Sequence, residues 1–445
     1  MTQEKRDMKD SGVEWLGEIP RHWDVKRLKY MATVRNSNVD KKSVDTEDEV
    51  SLLNYTDVYY NEYITADIDF MQATATAQQI QLFELKEDDV VVTKDSESWD
   101  DIAVPTCVDQ DLRGVVCAYH LTLIRPVTDR TCGRYLARYF ASTPGAYQFK
   151  VGANGVTRFG LSQKVLRDSL FPLPPLHEQR AIAAYLDAET ARIDKLIAKT
   201  ERLNELLREK RTALISQAVT KGLDAGVAMK ASGVEWLGEI PRHWDVKRLR
   251  FCATIRTTHI DPTLREFSQR KLIAPNHIES STGRLLEVDS AEEQGAISAK
   301  VPFQQGDVLY SKIRPNLHKV CIAPFDGLCS SDIYPLLPNG NIISSYFLYT
   351  ILCKGFHQLT VLQVMGATIP RINQESLMDI LIPLPPLNEQ RAIASYLDAE
   401  TARIDRLIGK NDRLIHLLRE KRSALISAAV TGKIAVPSVE PGTSC

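Results

Sequence analysis

Apolar residues recur in steps of four and three along two stretches of the chain. One runs through Ile182, Leu186, Ile193, Leu196, Leu203, Leu207 and Leu214, the other through Ile393, Leu397, Ile404, Leu407, Leu414, Leu418 and Leu425. The residues between are mostly Ala, Glu, Lys and Arg, which favour helix. Each stretch follows Pro-Leu-Pro-Pro, and neither holds a proline or, apart from Gly409, a glycine before Gly222 and Gly432. The spacing predicts two long helices over 172–222 and 383–433. Each carries a heptad seam, interrupted at matching places by Glu189, Thr200 and Lys210 and by Glu400, Asn411 and Lys421. Two narrow apolar stripes are most simply buried against each other, which predicts an antiparallel coiled coil.

The helices belong to a larger repeat. The second begins 211 residues after the first, and SGVEWLGEIPRHWDVKRL at 11–28 returns letter for letter at 232–249. Between these blocks the sequences diverge. The expected organisation is a variable domain over 1–171, a helix over 172–222, a second variable domain over 223–382, a helix over 383–433 and a disordered tail over 434–445. Gly222 reads as a helix stop. Trp15, Trp23, Trp236 and Trp244 of the shared block read as packing residues. Within the variable regions, EDDVVVTK at 87–94 matches QGDVLYSK at 305–312, and GVVCAYHLTLIRP at 114–126 matches GLCSSDIYPLLPN at 327–339. Each is a turn followed by a strand-like run, so the fold class is α/β. Common ends with divergent middles describe one scaffold with two specificities.

The N-terminal MTQEKRDMKD lacks a signal-peptide pattern and no apolar run is long enough to span a bilayer, which predicts a cytoplasmic protein. Eight scattered cysteines without a CxxC pair read as structural thiols, and the spacing of His318, Cys321 and Cys329 fits no common zinc site. The overall net charge of −2 announces no polyanion partner. Residues 30–171 carry 14 Lys/Arg against 21 Asp/Glu, whereas residues 250–382 carry 12 of each. A nucleic-acid surface must therefore be a local patch.

Catalytic signatures are missing: there is no phosphate loop, no GxGxxG, no HExxH and no GxSxG. The acidic clusters Glu47-Asp48-Glu49 and Glu87-Asp88-Asp89 read as solvated turns before strands. Binding chemistry is better represented. Lys312, Arg314, Asn316 and His318 alternate, so an extended segment would place all four on one face, with Pro315 restricting it to an edge or loop. Arg and Lys suit guanine or phosphate and Asn suits adenine. The corresponding place in the first region keeps only Lys94, followed by acidic DSESWDD. Glycine-containing loops add Asn154, Thr157 and Arg158, and then Thr368, Arg371 and Asn373. Tyr55, Tyr59, Tyr60 and Tyr63 read mainly as sheet-edge packing.

The helix openings PLPPLxEQRAIAxYLDAETARID at 172 and 383, with the GVEWLGEIPxHW blocks at 12 and 233, resemble the specificity subunit of type I restriction–modification systems over the full length. The resemblance implies that each variable region is a target recognition domain. It implies that the helices form an antiparallel spacer docking two DNA adenine-methyltransferase subunits, with restriction/translocase subunits completing the complex. The DNA site would be bipartite and asymmetric, and the subunit itself would be non-catalytic and without cofactor. S-adenosylmethionine, ATP and Mg²⁺ would then belong to partner subunits. Independently of the resemblance, two homologous units with antiparallel helices predict an approximate two-fold axis, which matches the local symmetry of duplex DNA. Two other classes fit the duplicated scaffold: a protein-binding adaptor without DNA contact, and a nuclease built on an acidic cluster.

Overall fold

The computed structural model describes residues 7–364 and 370–437. The chain divides into two compact units, residues 1–199 with 413–445, and residues 200–412. Each unit therefore owns one copy of the shared block, one variable region and a segment of both long helices, Leu176–Lys221 and Leu387–Val430. At about 1.5 Å per residue, these helices owe their stability to packing along one face rather than to propensity alone.

Within each unit the helix segments run antiparallel. In the first, Ile182 and Leu186 share a core with Ile426, Ala429 and Val430, while Ile193 and Ile197 cluster with Ile415 and Leu418. In the second, Asn204 meets Asn411 and Asp412, and Ile215, Ala218 and Val219 share a core with Ile393, Ala394 and Leu397. The seam is not the predicted one throughout. Leu196, Leu203, Leu407 and Leu414 are 40–47% exposed, and the buried row passes instead through Ile197, Thr200, Asn204 and Arg211. The two rows are neighbours on the helix surface, and contact with the opposing segment selects the second.

The two seam arginines lie 211 residues apart and hold equivalent places on their helices. Arg211 faces Asp405 at 3.2 Å in the second unit, and Arg422 faces Asp194 at 3.0 Å in the first. Each also reaches its own variable region: Arg211 donates to the carbonyls of Ser281 and Thr282, and Arg422 pairs with Glu62.

The repeated Glu-Gln of the helix openings explains itself in the structure. Trp23 and Trp244 are fully buried, and their indole N–H groups donate to Glu178 and Glu389 at 3.0 and 2.9 Å. The buried amides of Gln179 and Gln390 each tie two carbonyls and one backbone N–H together. Gln179 holds Arg130, Pro174 and Cys132; Gln390 holds Asn341, Pro385 and Ile343. A buried amide satisfied three ways is a rigid joint. The shared block completes it: Asp24–Arg27 pairs antiparallel with Leu170–Leu173, and Asp245–Arg248 with Leu381–Leu384.

Each variable region is α/β and built on one framework. In the first unit the strand Leu121–Pro126 lies between Ala32–Asn36 and Val90–Thr93, antiparallel to both. In the second, Ile333–Pro338 lies between Ala253–Ile255 and Val308–Ser311. A second sheet follows in each, of four strands in the first unit and three in the second. The paired runs 87–94 and 305–312 thus supply equivalent strands. The acidic turn before the first is not solvated, contrary to the sequence reading. Asp89 is 1% exposed and accepts two bonds from Arg125, as Asp307 does from Arg256 in the second unit. Asp88, at φ +69°, accepts from the N–H groups of Gly133 and Arg134 and caps the helix Gly133–Phe140. The residues read as a tail begin in the core: Ile434 and Val436 pack against the first unit's main cluster. The seven cysteines among the described residues are buried.

Candidate nucleic-acid interface

Three segments meet at the exit of the equivalent strands. In the first unit the N–H of Lys94 donates to the carbonyl of His120 (3.2 Å), and its carbonyl accepts from Leu161 (2.8 Å). In the second, Lys312 donates to Asp332 (2.9 Å) and accepts from Ile372 (2.9 Å). The next residue pairs across in both, Asp95 with Gly160 and Ile313 with Arg371. One backbone frame therefore presents two unrelated sets of side chains, and the glycine loops singled out in the sequence are its third segment.

In the first unit Asn154, Thr157 and Arg158 are exposed on a loop closed by mutual backbone bonds between Asn154 and Gly160. Gly155, at φ +151°, is obligatory there, because a Cβ would stand 1.9 Å from the carbonyl oxygen of Arg158. Lys94 is half-buried. Beside it, His120 Nδ1 lies 2.8 Å from Asp95 Oδ2 and Tyr119 packs on the imidazole at 3.6 Å between ring centroids. Sequence reasoning missed His120 and Tyr119, since they reach the site from the turn between the strands Leu112–Cys117 and Leu121–Pro126, which belong to different sheets. The following loop is acidic: Asp101 accepts from Tyr59, which pushes that phenol up to about 12, and Asp100 is held below the usual carboxylate range by Ser98. Trp99, which precedes them, is 54% exposed.

The second unit gathers donors instead. Lys312 Nζ lies 5.0 Å from the centre of the Tyr334 ring, a cation–π contact. Arg314, Asn316 and Arg371 are exposed. The expected extended face is corrected, however. Pro315–Leu317 is a single 3-10 turn, flanked by Arg314 and His318 in the left-handed conformation at φ +46° and +50°. Alternation thus fails, and His318 turns inward. It is 6% exposed, with Nε2 2.9 Å from the carbonyl of Ile351, so it is a core residue and not a DNA contact. Asn373 caps the helix Gln374–Met378, its side-chain oxygen accepting from Ser376 at 2.7 Å, which accounts for the residue structurally. Thr368 lies outside the described residues.

Burial lowers the His318 pKa to about 4, aided by His357 and Arg211 nearby. Its ordinary value is 6.5, so between these limits the unfolded chain binds the extra proton. Its contribution to stability is complete above about pH 6.5 and falls as the pH drops toward 4, by roughly 3 kcal/mol in all. Urea unfolding of the chain at pH 7.5 and 5 is expected to show about 2 kcal/mol of that loss, and His318→Gln should flatten this part of the slope.

The family model for the type I restriction modification DNA specificity domain matches residues 20–208 and 278–414, more than half of the chain. The chain belongs to that family. Among curated relatives, the type I restriction enzyme EcoDI specificity subunit of Escherichia coli is 29% identical over 284 residues, covering 60% of this chain and 63% of that one. The chain thus spans just under two thirds of the length of that relative. The putative type I restriction enzyme MjaX specificity subunit of Methanocaldococcus jannaschii is 25% identical over 441 residues, covering 95% and 96%. Two solved structures share the fold. A chain from a study of complex assembly and conformational transition of the type I R-M system gives a TM-score of 0.71 at 16% identity, covering 94% of this chain and 99% of that one. The HsdS subunit from Thermoanaerobacter tengcongensis gives 0.55 at 17% identity, covering 94% and 98%. Among the described residues of this family member, no His/Cys/Asp/Glu group could hold a metal ion and no helix is long and apolar enough to cross a membrane.

Proposed function

We propose that this chain is the DNA sequence-specificity subunit of a type I restriction–modification complex. Each variable domain reads one half of a bipartite asymmetric site. The observation that carries this reading is the duplicated backbone frame at Lys94 and Lys312, which holds different side chains in a common setting. Lys312, Arg314 and Arg371 donate only, as guanine edges and phosphates require, and Asn316 suits adenine. In the first domain Lys94, Asn154, Thr157 and Arg158 are the contacts. Its acidic loop does not conflict with DNA, because carboxylates accept from the exocyclic amine of cytosine. The long helices dock two DNA adenine-methyltransferase subunits and set the gap, and restriction/translocase subunits join the same complex. Catalysis, with S-adenosylmethionine, ATP and Mg²⁺, resides in those cytoplasmic partners.

The deciding experiment maps methylated adenines across a genome expressing the methyltransferase with and without this chain. A bipartite motif present only with the chain is expected, and its absence would reject the reading. A protein-binding adaptor would instead leave methylation unchanged, and the assembled complex would show no steep loss of DNA affinity with salt.

Inserting seven residues into both helices keeps the heptad and lengthens each by about 10 Å. At about 3.4 Å per base pair, the unspecified gap is expected to grow by roughly one to three pairs with both half-sites intact. Methylome sequencing of that variant reads the gap directly, and an unchanged gap would rule out the helices as its ruler.

A further inference from the structure

The turn that carries Arg314 is held in a conformation it would not choose. Two non-glycine residues in the left-handed region bracket three residues, and such positions persist only where the surroundings dictate them. The surroundings are specific. His357 Nε2 lies 3.1 Å from the carbonyl of Pro315, the first residue of the turn. The His357 ring stacks on His318 at 3.9 Å between centroids and 6° between planes. His318 Nε2 must be protonated to donate to Ile351, which leaves Nδ1 to accept from Ser281 Oγ at 3.4 Å. Ser281, itself at φ +61°, donates its N–H to the carbonyl of His318 at 2.9 Å. The carbonyls of Ser281 and Thr282 then accept the two guanidinium nitrogens of Arg211 at 2.9 and 2.8 Å. Arg211 is buried in the helix seam opposite Asp405.

We propose that Arg211, His318 and His357 are positioning residues for base recognition, fixing the Arg314 turn to the helix pair of the second unit. They touch no DNA; they decide where the Arg314 guanidinium starts. This rests on the reading of Arg314 as a base contact. The bracing belongs to one specificity: the equivalent seam arginine of the first unit, Arg422, pairs with the Glu62 side chain. A seam residue tied to a reading turn also means that a shift in the helix pair moves the turn, because a guanidinium fork holds both carbonyls at once.

The test uses the full chain co-expressed with its methyltransferase and compares methylation motifs for Arg211→Lys, His357→Phe and Arg314→Ala. Arg211→Lys keeps the charge opposite Asp405 but cannot fork to two carbonyls. His357→Phe keeps the stacked ring and deletes the donor to Pro315. Both are expected to relax, by about tenfold, the same second half-site position that Arg314→Ala relaxes, with the first half-site unchanged. His357→Gln, which restores an N–H, should recover part of the preference. If Arg314→Ala relaxes a position and the other variants methylate the unaltered motif at any rate, the positioning role is wrong and the base contact stands. If Arg314→Ala itself leaves the motif unaltered, the underlying contact is wrong. Insolubility of every Arg211 and His357 variant would assign them to folding and likewise overturn the proposal.

Discussion

Arg314→Ala is expected to abolish discrimination at one position of the second half-site, a loss of about 10- to 100-fold in preference for the correct base. The side chain is exposed at the head of a turn whose own backbone is anchored, the N–H of Arg314 donating to Pro370 at 2.7 Å. An arginine so placed brings a preorganised fork to a base edge with little further ordering to do, which is where a bidentate contact gains most. The measurement is a methylation motif, or binding of the assembled complex to a panel of single-base variants. Preference at the first half-site should stay fixed. Equal weakening on every sequence, with the salt slope reduced by about one, would make Arg314 a phosphate contact instead.

The largest effect on stability is expected at Asp187, on the first long helix. Its carboxylate accepts from Arg138 at 2.7 Å, from the Tyr63 hydroxyl at 2.6 Å and from Arg134 at 3.4 Å. The Arg138 side chain is only 6% exposed, and its remaining acid is Glu62 at 3.1 Å. Asp187→Ala therefore leaves Arg138 with Glu62 and Thr190 as its partners and the Tyr63 phenol without its acceptor, and a cost of about 3 kcal/mol is expected. The equivalent Asp398 accepts from the Tyr349 hydroxyl at 2.7 Å. Asp398 is exposed and Tyr349 keeps Thr401 at 3.2 Å, so removing the carboxylate should cost only about 1 kcal/mol, the net worth of an ordinary hydrogen bond. Urea titrations of both variants give the comparison; equal losses would mean that Arg138 finds other compensation.

The acidic balance of residues 30–171 gathers at one place that matters, the loop Asp95–Asp101 beside Lys94. The two recognition domains thus differ in more than side-chain identity. One offers acceptors, an imidazole held by Asp95 and an exposed indole; the other offers cations around Tyr334. On the proposed reading, half-sites of different base composition are expected from that contrast, which net charge over a whole domain conceals.

Sequence alone determined the duplication, both long helices, the burial of Trp23 and Trp244, and the equivalence of the strands ending at Lys94 and Lys312. These are local or self-referential signals: helix period, proline stops, and the same letters recurring. The tertiary structure decided whatever depends on a partner far along the chain. It moved the seam from Leu196 and Leu203 to Ile197 and Asn204, since only the opposing segment can choose between adjacent rows on one helix. It placed Arg211 and Arg422 as keys to their domains, although a charged residue in a heptad reads in sequence as an interruption. It folded Lys312–His318 into a 3-10 turn bracketed by two left-handed residues, which alternation cannot foresee because His318 answers to the buried carbonyl of Ile351 rather than to its neighbours. Periodicity reports what a segment does for itself; burial against remote groups is settled only when the chain closes on them.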